Sequence, residues 1–391
     1  MRDLDRLVED LLSKDAEKRK WATLMLAEMA EDGVTSDRAL QRLVELLDDA
    51  DEGVRMGATY AVARYAERAV MDENALEKLV RLLGDLNVRL RDMAAYVLGK
   101  YAERGIVRPG VLKELVGLLE DGSEDVRMSA VYAVAAYALR GLVDAEALKR
   151  LVRLLGEKDE SVRNMAAWTL GSYAERGLVE RDAPRKLAEL LEDKNGDVRG
   201  SAAWALVKYA EKGLTCSDAV KKLVKLLEDE GVEARLNAAW ALSMYALNGY
   251  TNPDALGKLV KLLSDEREEV RDVAAYTLAL YAERGLTQPD AMEKLAKLLD
   301  EEGDEVRSSA AWALGEYAGR GFTHMEALEK LVGLLEDWNV EVRRGAVYAV
   351  ARYAEMGLKH PDALHKLSKL LKDEDREVRE IASYAYSYYE K

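Results

Sequence analysis

The chain has 391 residues, of which 49% are hydrophobic and 34% charged, and its formal net charge is −15 at pH 7. Such an acidic chain disfavours nucleic acid and anionic membrane surfaces as partners and favours basic or neutral ones. The single cysteine, Cys216, excludes an internal disulfide, and the sequence contains neither a signal core nor an apolar run of about 18 residues. We therefore expect a soluble protein in the reducing cytoplasm.

One short pattern recurs along the chain with a constant period. Its clearest copy is Ser-Ala-Ala-Trp-Ala-Leu-Val-Lys-Tyr-Ala-Glu-Lys-Gly at 201–213, and adjacent copies start 36 residues apart. A fixed period of this length predicts a solenoid, in which each unit packs only on its neighbours. We expect one continuous array over 1–391, made of a divergent capping repeat (1–40), nine regular repeats (41–364) and a C-terminal capping helix pair (365–391).

Each repeat predicts two helices, A and B. In the repeat that begins near 251, Thr251 and Asp254 predict a capping box for a helix A of about twelve residues. Helix B is predicted from Glu268 to Arg284 and is closed by a glycine, which favours the left-handed conformation needed there. Ala69 occupies this glycine position in one repeat. Because alanine disfavours that conformation, we expect an altered turn or a changed curvature at Ala69.

Two segments carry a resemblance to a known family. Leu-Val-x-Leu-Leu-x-Asp at 223–229 and Val-Arg-x-x-Ala-Ala at 270–275 resemble HEAT-like repeats, and the resemblance covers essentially the whole chain. It implies an all-α fold, a right-handed α-solenoid of about eleven 36-residue helical hairpins with the B helices on the concave side. It also implies a ladder of ion pairs between the helix-B arginine, present in every copy, and an aspartate in the A–B turn.

Helix B is also similar to a helix of a second family. Ala-Ala-Trp-Ala-Leu-Ser-Met-Tyr-Ala at 238–246 resembles the groove-lining helix of armadillo repeats, whose tryptophans line a peptide groove. The asparagine that this family places four residues after the tryptophan is replaced here by residues such as Lys208, Met244 and Glu316. The resemblance therefore implies an aromatic surface without the asparagines that hold an extended peptide backbone.

An aromatic residue recurs on the side of helix B that faces away from the predicted core. Val270, Ala274 and Leu278 mark the buried face of one such helix, together with Tyr281, a member of a second tyrosine series that we expect in the core. We call the outward-facing series the aromatic ladder, which consists of Tyr60, Tyr96, Tyr132, Trp168, Trp204, Trp240, Tyr276, Trp312, Tyr348 and Tyr384. The rings either offer contact area to a partner or pack between adjacent B helices and set the superhelix curvature.

The ladder and its neighbours predict a binding surface. Glutamates such as Glu269 and Glu305 add an acidic margin, which suits a basic protein or peptide. The predicted partner-binding residues are Tyr96, Tyr132, Trp168, Trp204, Trp240, Tyr276, Trp312, Met165, Leu236 and Met244. We therefore expect a non-enzymatic binding scaffold, with a monomer favoured. The alternative is a purely structural or self-associating repeat protein, since scarce amides with abundant charge are typical of thermophilic proteins and of consensus-like designs.

No pattern in the chain predicts catalysis, a metal or a cofactor. His324 and His360 occupy the same loop position in successive repeats, about 10 Å apart if one helix-packing distance separates them. That spacing is too wide for a shared metal, and we expect both to be exposed loop residues. Cys216 has no histidine near it in sequence to activate the thiol. We therefore expect neither an enzyme nor a metal site.

Overall fold

The computed structural model describes residues 2–390, and within this range it contains 22 α-helices and no strand. The helices form two compact units, of which the first ends at Lys186 and the second begins at Leu187. Those of the first unit are α1 (Arg2–Asp10), α2 (Ala16–Glu31), α3 (Asp37–Glu45), α4 (Glu52–Glu67), α5 (Ala75–Leu82), α6 (Val88–Glu103), α7 (Pro109–Leu118), α8 (Glu124–Leu139), α9 (Ala145–Leu154) and α10 (Glu160–Glu175).

The division between the units falls in α11 (Ala183–Leu190). The second unit continues with α12 (Gly196–Glu211), α13 (Ser217–Leu226), α14 (Val232–Leu247), α15 (Leu256–Leu262), α16 (Glu268–Glu283), α17 (Ala291–Leu298), α18 (Asp304–Gly319), α19 (Met325–Leu334), α20 (Val340–Glu355), α21 (Ala363–Leu370) and α22 (Arg376–Tyr389). Short 3₁₀ turns occur at Leu46–Asp48 and Pro253–Ala255.

Consecutive helices pair into hairpins, as the 36-residue period predicts. Odd-numbered helices are the A helices and even-numbered ones the B helices, and inside each unit a B helix packs on its own A helix and on the next B helix. This arrangement confirms the prediction of an α-solenoid. The predicted helix B is correct to within one residue at α16, which ends at Glu283 with Arg284 as its C-cap. The predicted capping box is wrong, because Asn252 caps the 3₁₀ turn that precedes a shorter helix A.

The second tyrosine series lies in the core, as predicted. Nine of its members, from Tyr65 to Tyr353, are 0% exposed. Most of the hydroxyls reach the loop before helix A, where the Tyr101 hydroxyl accepts a hydrogen bond of 3.2 Å from the Asp72 N–H. The same bond recurs at Tyr173, Tyr245, Tyr281, Tyr317, Tyr353 and Tyr389. Each of these seven tyrosines therefore holds a loop against the core through its hydroxyl.

Arginine–carboxylate pairs connect consecutive repeats inside each unit. Arg199 donates from Nε and Nη2 to Asp229 in the next repeat, at 2.6 and 2.8 Å, and from Nη1 to the backbone carbonyl of Asp193 in its own turn. Equivalent pairs join Arg91 to Asp121 and Arg235 to Asp265. These pairs form the ladder that the family resemblance implies, with each arginine reaching 30 residues ahead. A hydrogen bond from the Arg91 guanidinium lowers the pKa of Asp121, which keeps this half-buried carboxylate charged.

The turn at Ala69 is not altered, so the sequence-based prediction for this turn is wrong. Ala69 takes a φ of 62° and thus occupies the left-handed region, in which the equivalent glycines have φ values from 73° to 90°. Its hydrogen bonds match those of the next repeat, since Val70 N donates to Tyr65 O at 3.0 Å and Ile106 N to Tyr101 O at 3.0 Å. The Schellman-type closure imposes the left-handed conformation, and the alanine bears the strain.

Replacing Ala69 with glycine should stabilise the protein by up to about 1 kcal/mol, because the left-handed conformation costs an L-residue roughly 1–2 kcal/mol. Gly105→Ala is the matched reverse change, since a Cβ at Gly105 meets no atom within 4 Å and only backbone strain is added. The midpoint of urea unfolding should rise in Ala69→Gly and fall in Gly105→Ala. A neutral or destabilising Ala69→Gly variant would contradict this account of the turn.

The buried tyrosines predict a loss of stability at alkaline pH. Burial raises the pKa of Tyr101, Tyr173 and Tyr317 to about 12, whereas an unfolded tyrosine titrates near 10. Above that lower value the unfolded chain holds fewer protons than the folded one, so the free energy of unfolding falls as pH rises from about 10 to about 12. Melting temperatures measured across this interval test the slope. Tyr101→Phe should reduce the slope by the contribution of one titrating hydroxyl. Equal slopes for the variant and the wild type would disprove the role of Tyr101 in this pH dependence.

Candidate partner-binding surface

 The aromatic ladder lies outside the core in both units. Trp240 is 46% and Tyr384 is 49% exposed, and the other eight rings are half-buried along helix B. The rings therefore remain accessible on the face opposite the packed side of each helix B, where sequence periodicity predicts them.

In the first unit the ladder rings have partners within the chain. Tyr96 and Tyr132 stack with ring centroids 5.6 Å apart and an interplanar angle of 25°. Lys100 Nζ lies 5.5 Å from the Tyr96 centroid and 5.2 Å from that of Tyr132. Arg64 similarly lies 4.8 Å from the Tyr60 centroid. Cations of the chain itself thus cover these rings.

The tyrosine hydroxyls of this stretch bind glutamates of the preceding repeat. Tyr96 donates to Glu67 at 2.9 Å, and Tyr132 donates to Glu103 at 2.6 Å. Burial, with a further contribution from Glu67, raises the pKa of Tyr96 to about 12, so the hydroxyl remains a donor at neutral pH. Glutamates at the position of the expected acidic margin thus accept hydrogen bonds from tyrosines of the chain itself.

In the second unit the ladder borders a cavity of about 670 Å³. We call it the Trp240 cavity; it is lined by Leu236, Trp240, Ser243, Met244, Glu268, Glu269, Asp272, Val273, Tyr276, Glu305 and Ser309. The structure thus brings together four predicted binding residues from α14 and α16. The Tyr276 hydroxyl lacks the glutamate acceptor that Tyr96 and Tyr132 have. The acceptor lies 29 residues before the tyrosine in those repeats, and that position is Leu247 here.

Four carboxylates line the Trp240 cavity, and three of them have no ion pair among residues 2–390; the fourth, Glu269, pairs with Arg267 at 3.0 Å. Asp272 accepts a hydrogen bond of 2.6 Å from the Ser309 hydroxyl, and no ion pair reaches it, Glu268 or Glu305. Burial raises the pKa of Asp272, and the charges of Glu305 and Glu268 raise it further. The Glu268 carboxylate lies against Gly303, in the space that a Cβ there would occupy. The cavity therefore combines aromatic rings with uncompensated negative charge.

An adjacent cavity of about 690 Å³ shares Asp272, Tyr276 and Glu305 with the first one and also contains Trp312. The ring centroids of Tyr276 and Trp312 are 5.3 Å apart. Here the chain supplies its own cation, because Arg344 contacts Glu341 at 2.7 Å and Asp375 at 2.6 Å. Arg344 thus compensates part of the negative charge of this second cavity, whereas Asp272 and Glu305 remain without an ion pair among residues 2–390.

The remaining predicted residues lie on the same face of other B helices. Met165 and Trp168 are half-buried in α10, and Trp204 is half-buried in α12, where Lys208 Nζ lies 6.0 Å from its ring centroid. Sequence reasoning missed Asp272 and Glu268. The signal for Asp272 was available, because it precedes Tyr276 by four residues and so shares a helix face with it.

His324 and His360 lie in loops, as expected, but they are half-buried rather than exposed, and His324 is the N-cap of α19. His324 Nδ1 accepts a hydrogen bond from Ala327 N at 3.3 Å, and His360 Nδ1 accepts one from Asp362 N at 3.2 Å. Across residues 2–390 no three or more His, Cys, Asp or Glu side chains are grouped in a way that could hold a metal ion. In the same range no helix is both long and apolar enough to cross a membrane.

Repeated helical hairpins joined by arginine–carboxylate pairs define an α-solenoid repeat protein. A family model described as HEAT repeats matches residues 130–207, 184–279, 220–315 and 292–387. The chain belongs to the HEAT repeat family. Among solved structures it is similar to the crystal structure of an engineered protein, with 26% identity, a TM-score of 0.63 and coverage of 100% of both chains. No curated protein matches the sequence.

Trp240 should be the ladder tryptophan most accessible to a quencher, because its side chain is exposed whereas Trp168, Trp204 and Trp312 are half-buried. Acrylamide quenching of fluorescence should fall most in Trp240→Phe among the four single Trp→Phe variants. Since Trp21 and Trp338 are also exposed, the comparison requires a background in which both are phenylalanine. An unchanged quenching slope in Trp240→Phe would show that the indole is covered.

Proposed function

We propose that this HEAT-repeat protein is a non-enzymatic scaffold that binds a basic protein or peptide on its helix-B surface, in the cytoplasm. The observation that carries the proposal is the Trp240 cavity, where exposed aromatic area adjoins three carboxylates that form no ion pair within residues 2–390. Aromatic side chains provide rigid contact area, and uncompensated negative charge favours a cationic partner. The net charge of −15 extends this preference to long range.

Within the second unit, Leu236, Trp240, Met244, Tyr276 and Trp312 are the residues that we propose contact the partner. Trp204 extends the same face of the B helices. In the first unit we propose a weaker contribution from the predicted residues Tyr96, Tyr132, Met165 and Trp168. The reason is that Lys100 and the neighbouring glutamates already occupy part of that surface.

A purely structural or self-associating role is the second candidate, and two observations favour it. Stacked rings such as Tyr96 and Tyr132 pack across adjacent B helices, as a device that sets the spacing of repeats would. The similar solved structure is described as an engineered protein, and the match covers the full length of both chains. Sedimentation equilibrium tests self-association directly, because a mass that rises with concentration would favour this candidate.

The binding role predicts that an arginine- and lysine-rich peptide of about twelve residues binds and that its acidic counterpart does not. Trp240→Ala should weaken binding at least about tenfold, as expected when a central aromatic anchor is removed. Trp338→Ala is the matched control, since Trp338 is 77% exposed but lies in an A–B turn outside the ladder. Isothermal titration calorimetry measures both. Equal affinities of the two variants and wild type, or no binding of the basic peptide, would disprove the proposal.

A further inference from the structure

The chain places its own cations on the ladder at one recurring position. Arg64, Lys100 and Lys208 each follow a ladder ring by four residues, and their charged groups lie 4.8 to 6.0 Å from ring centroids. Each also forms an ion pair with the glutamate three residues later, at 2.8 Å for Arg64, 3.1 Å for Lys100 and 3.2 Å for Lys208. A ring, a cation and a carboxylate thus form a recurring group of three.

The clearest example involves a guanidinium. Arg64 lies over the ring of Tyr60 and contacts Glu31 at 2.9 Å as well as Glu67 at 2.8 Å. The planar group therefore stacks on an aromatic face while two carboxylates receive its edge. A guanidinium suits this geometry better than an ammonium because it is planar and carries five donors in a fixed arrangement.

At the Trp240 cavity the ring and the carboxylates are present, but the cation four residues after the ring is not. The residue four positions after Trp240 is Met244, and the one after Tyr276 is Leu280. Asp272, Glu268 and Glu305 nevertheless bring three carboxylates to this place, whereas two contact Arg64.

A second register difference leaves Glu268 without a donor. In equivalent positions of other repeats, Asn87 donates to Glu52 at 2.5 Å and Asn339 donates to Asp304 at 2.9 Å. The corresponding residue opposite Glu268 is Gly303, which has no side-chain amide and leaves room for the carboxylate. The cavity thus lacks both the cation that follows the ring by four residues and the amide donor that comparable sites possess.

We propose that the Trp240 cavity is the seat for a single arginine side chain of the bound partner, an inference that rests on the proposed function. The guanidinium stacks between Trp240 and Tyr276 and donates to Asp272 and Glu305, while its aliphatic stem packs on Leu236 and Met244. Asp272 lies beside Glu268 and Glu305 and accepts a hydrogen bond from Ser309. Burial and these neighbouring charges raise the pKa of Asp272. A bound cation would relieve the repulsion among the carboxylates, which supports this assignment.

The probe for this seat is Nα-acetyl-arginine amide, with the uncharged Nα-acetyl-citrulline amide as its near-isosteric control. The indole N–H resonance of Trp240, assigned with Trp240→Phe, should shift on titration with the arginine probe and remain in place with the citrulline one. Asp272→Asn should weaken binding roughly fivefold, as expected for the loss of one partly exposed charge pair. Asp92→Asn is the matched control, because Asp92 occupies the same repeat position in the first unit and accepts from Ser129 at 2.5 Å.

A second pair of variants tests the seat without removing a carboxylate. Met244→Lys restores the cation that other repeats carry and should abolish binding of the arginine probe, whereas Met244→Gln, similar in length but uncharged, should retain it. Unchanged binding in both Met244→Lys and Asp272→Asn would overturn the seat. If the basic peptide still binds in a manner sensitive to Trp240→Ala, only the seat fails. If the arginine probe shifts Trp240 but the basic peptide does not bind, the seat is supported and the scaffold role fails.

Discussion

The arginine–carboxylate pair between consecutive repeats is the interaction on which the rest of each unit depends. A guanidinium such as that of Arg199 satisfies backbone carbonyls of its own turn and, at the same time, a carboxylate of the next repeat. Because its donors have a fixed planar arrangement, the pair sets the register between neighbouring hairpins as well as stabilising them. A single helical hairpin leaves one apolar face uncovered, so this register decides which side chains of successive repeats meet.

A constant register has a chemical consequence on the opposite face of the B helices. One residue per repeat aligns into the aromatic ladder, and the residue four positions later aligns beside it. Where that residue is Lys100, the rings are covered by a cation of the chain, and where it is Met244, they border an acidic cavity. The same architecture therefore contains repeats whose rings contact a cation of the chain and repeats whose rings do not. The residue four positions after the ring distinguishes the two.

The architecture could be predicted from sequence because it depends on interactions that recur with the period. Helix B, the buried tyrosine series and the implied arginine pairs recur from repeat to repeat. Each prediction therefore rests on many copies of the pattern and not on a single one. The errors occurred at single positions, where local hydrogen bonding outweighs propensity. Ala69 keeps the left-handed turn because the neighbouring helix closure demands it, and Asn252 replaces Thr251 as cap because its side chain reaches the first free N–H.

The candidate site could be predicted only in part, since aromatic residues at a fixed spacing identify a face but not the state of each ring. Sequence alone determined the repeat, the helix pair and the series of outward-facing aromatics, because these follow from periodicity and local helix geometry. The tertiary structure decided which rings and carboxylates have charged partners, such as Tyr96 with Glu67, and which have only a neutral one, such as Asp272 with Ser309. The physical reason is that these partners lie about one repeat apart along the chain and come within hydrogen-bonding distance only when adjacent B helices pack.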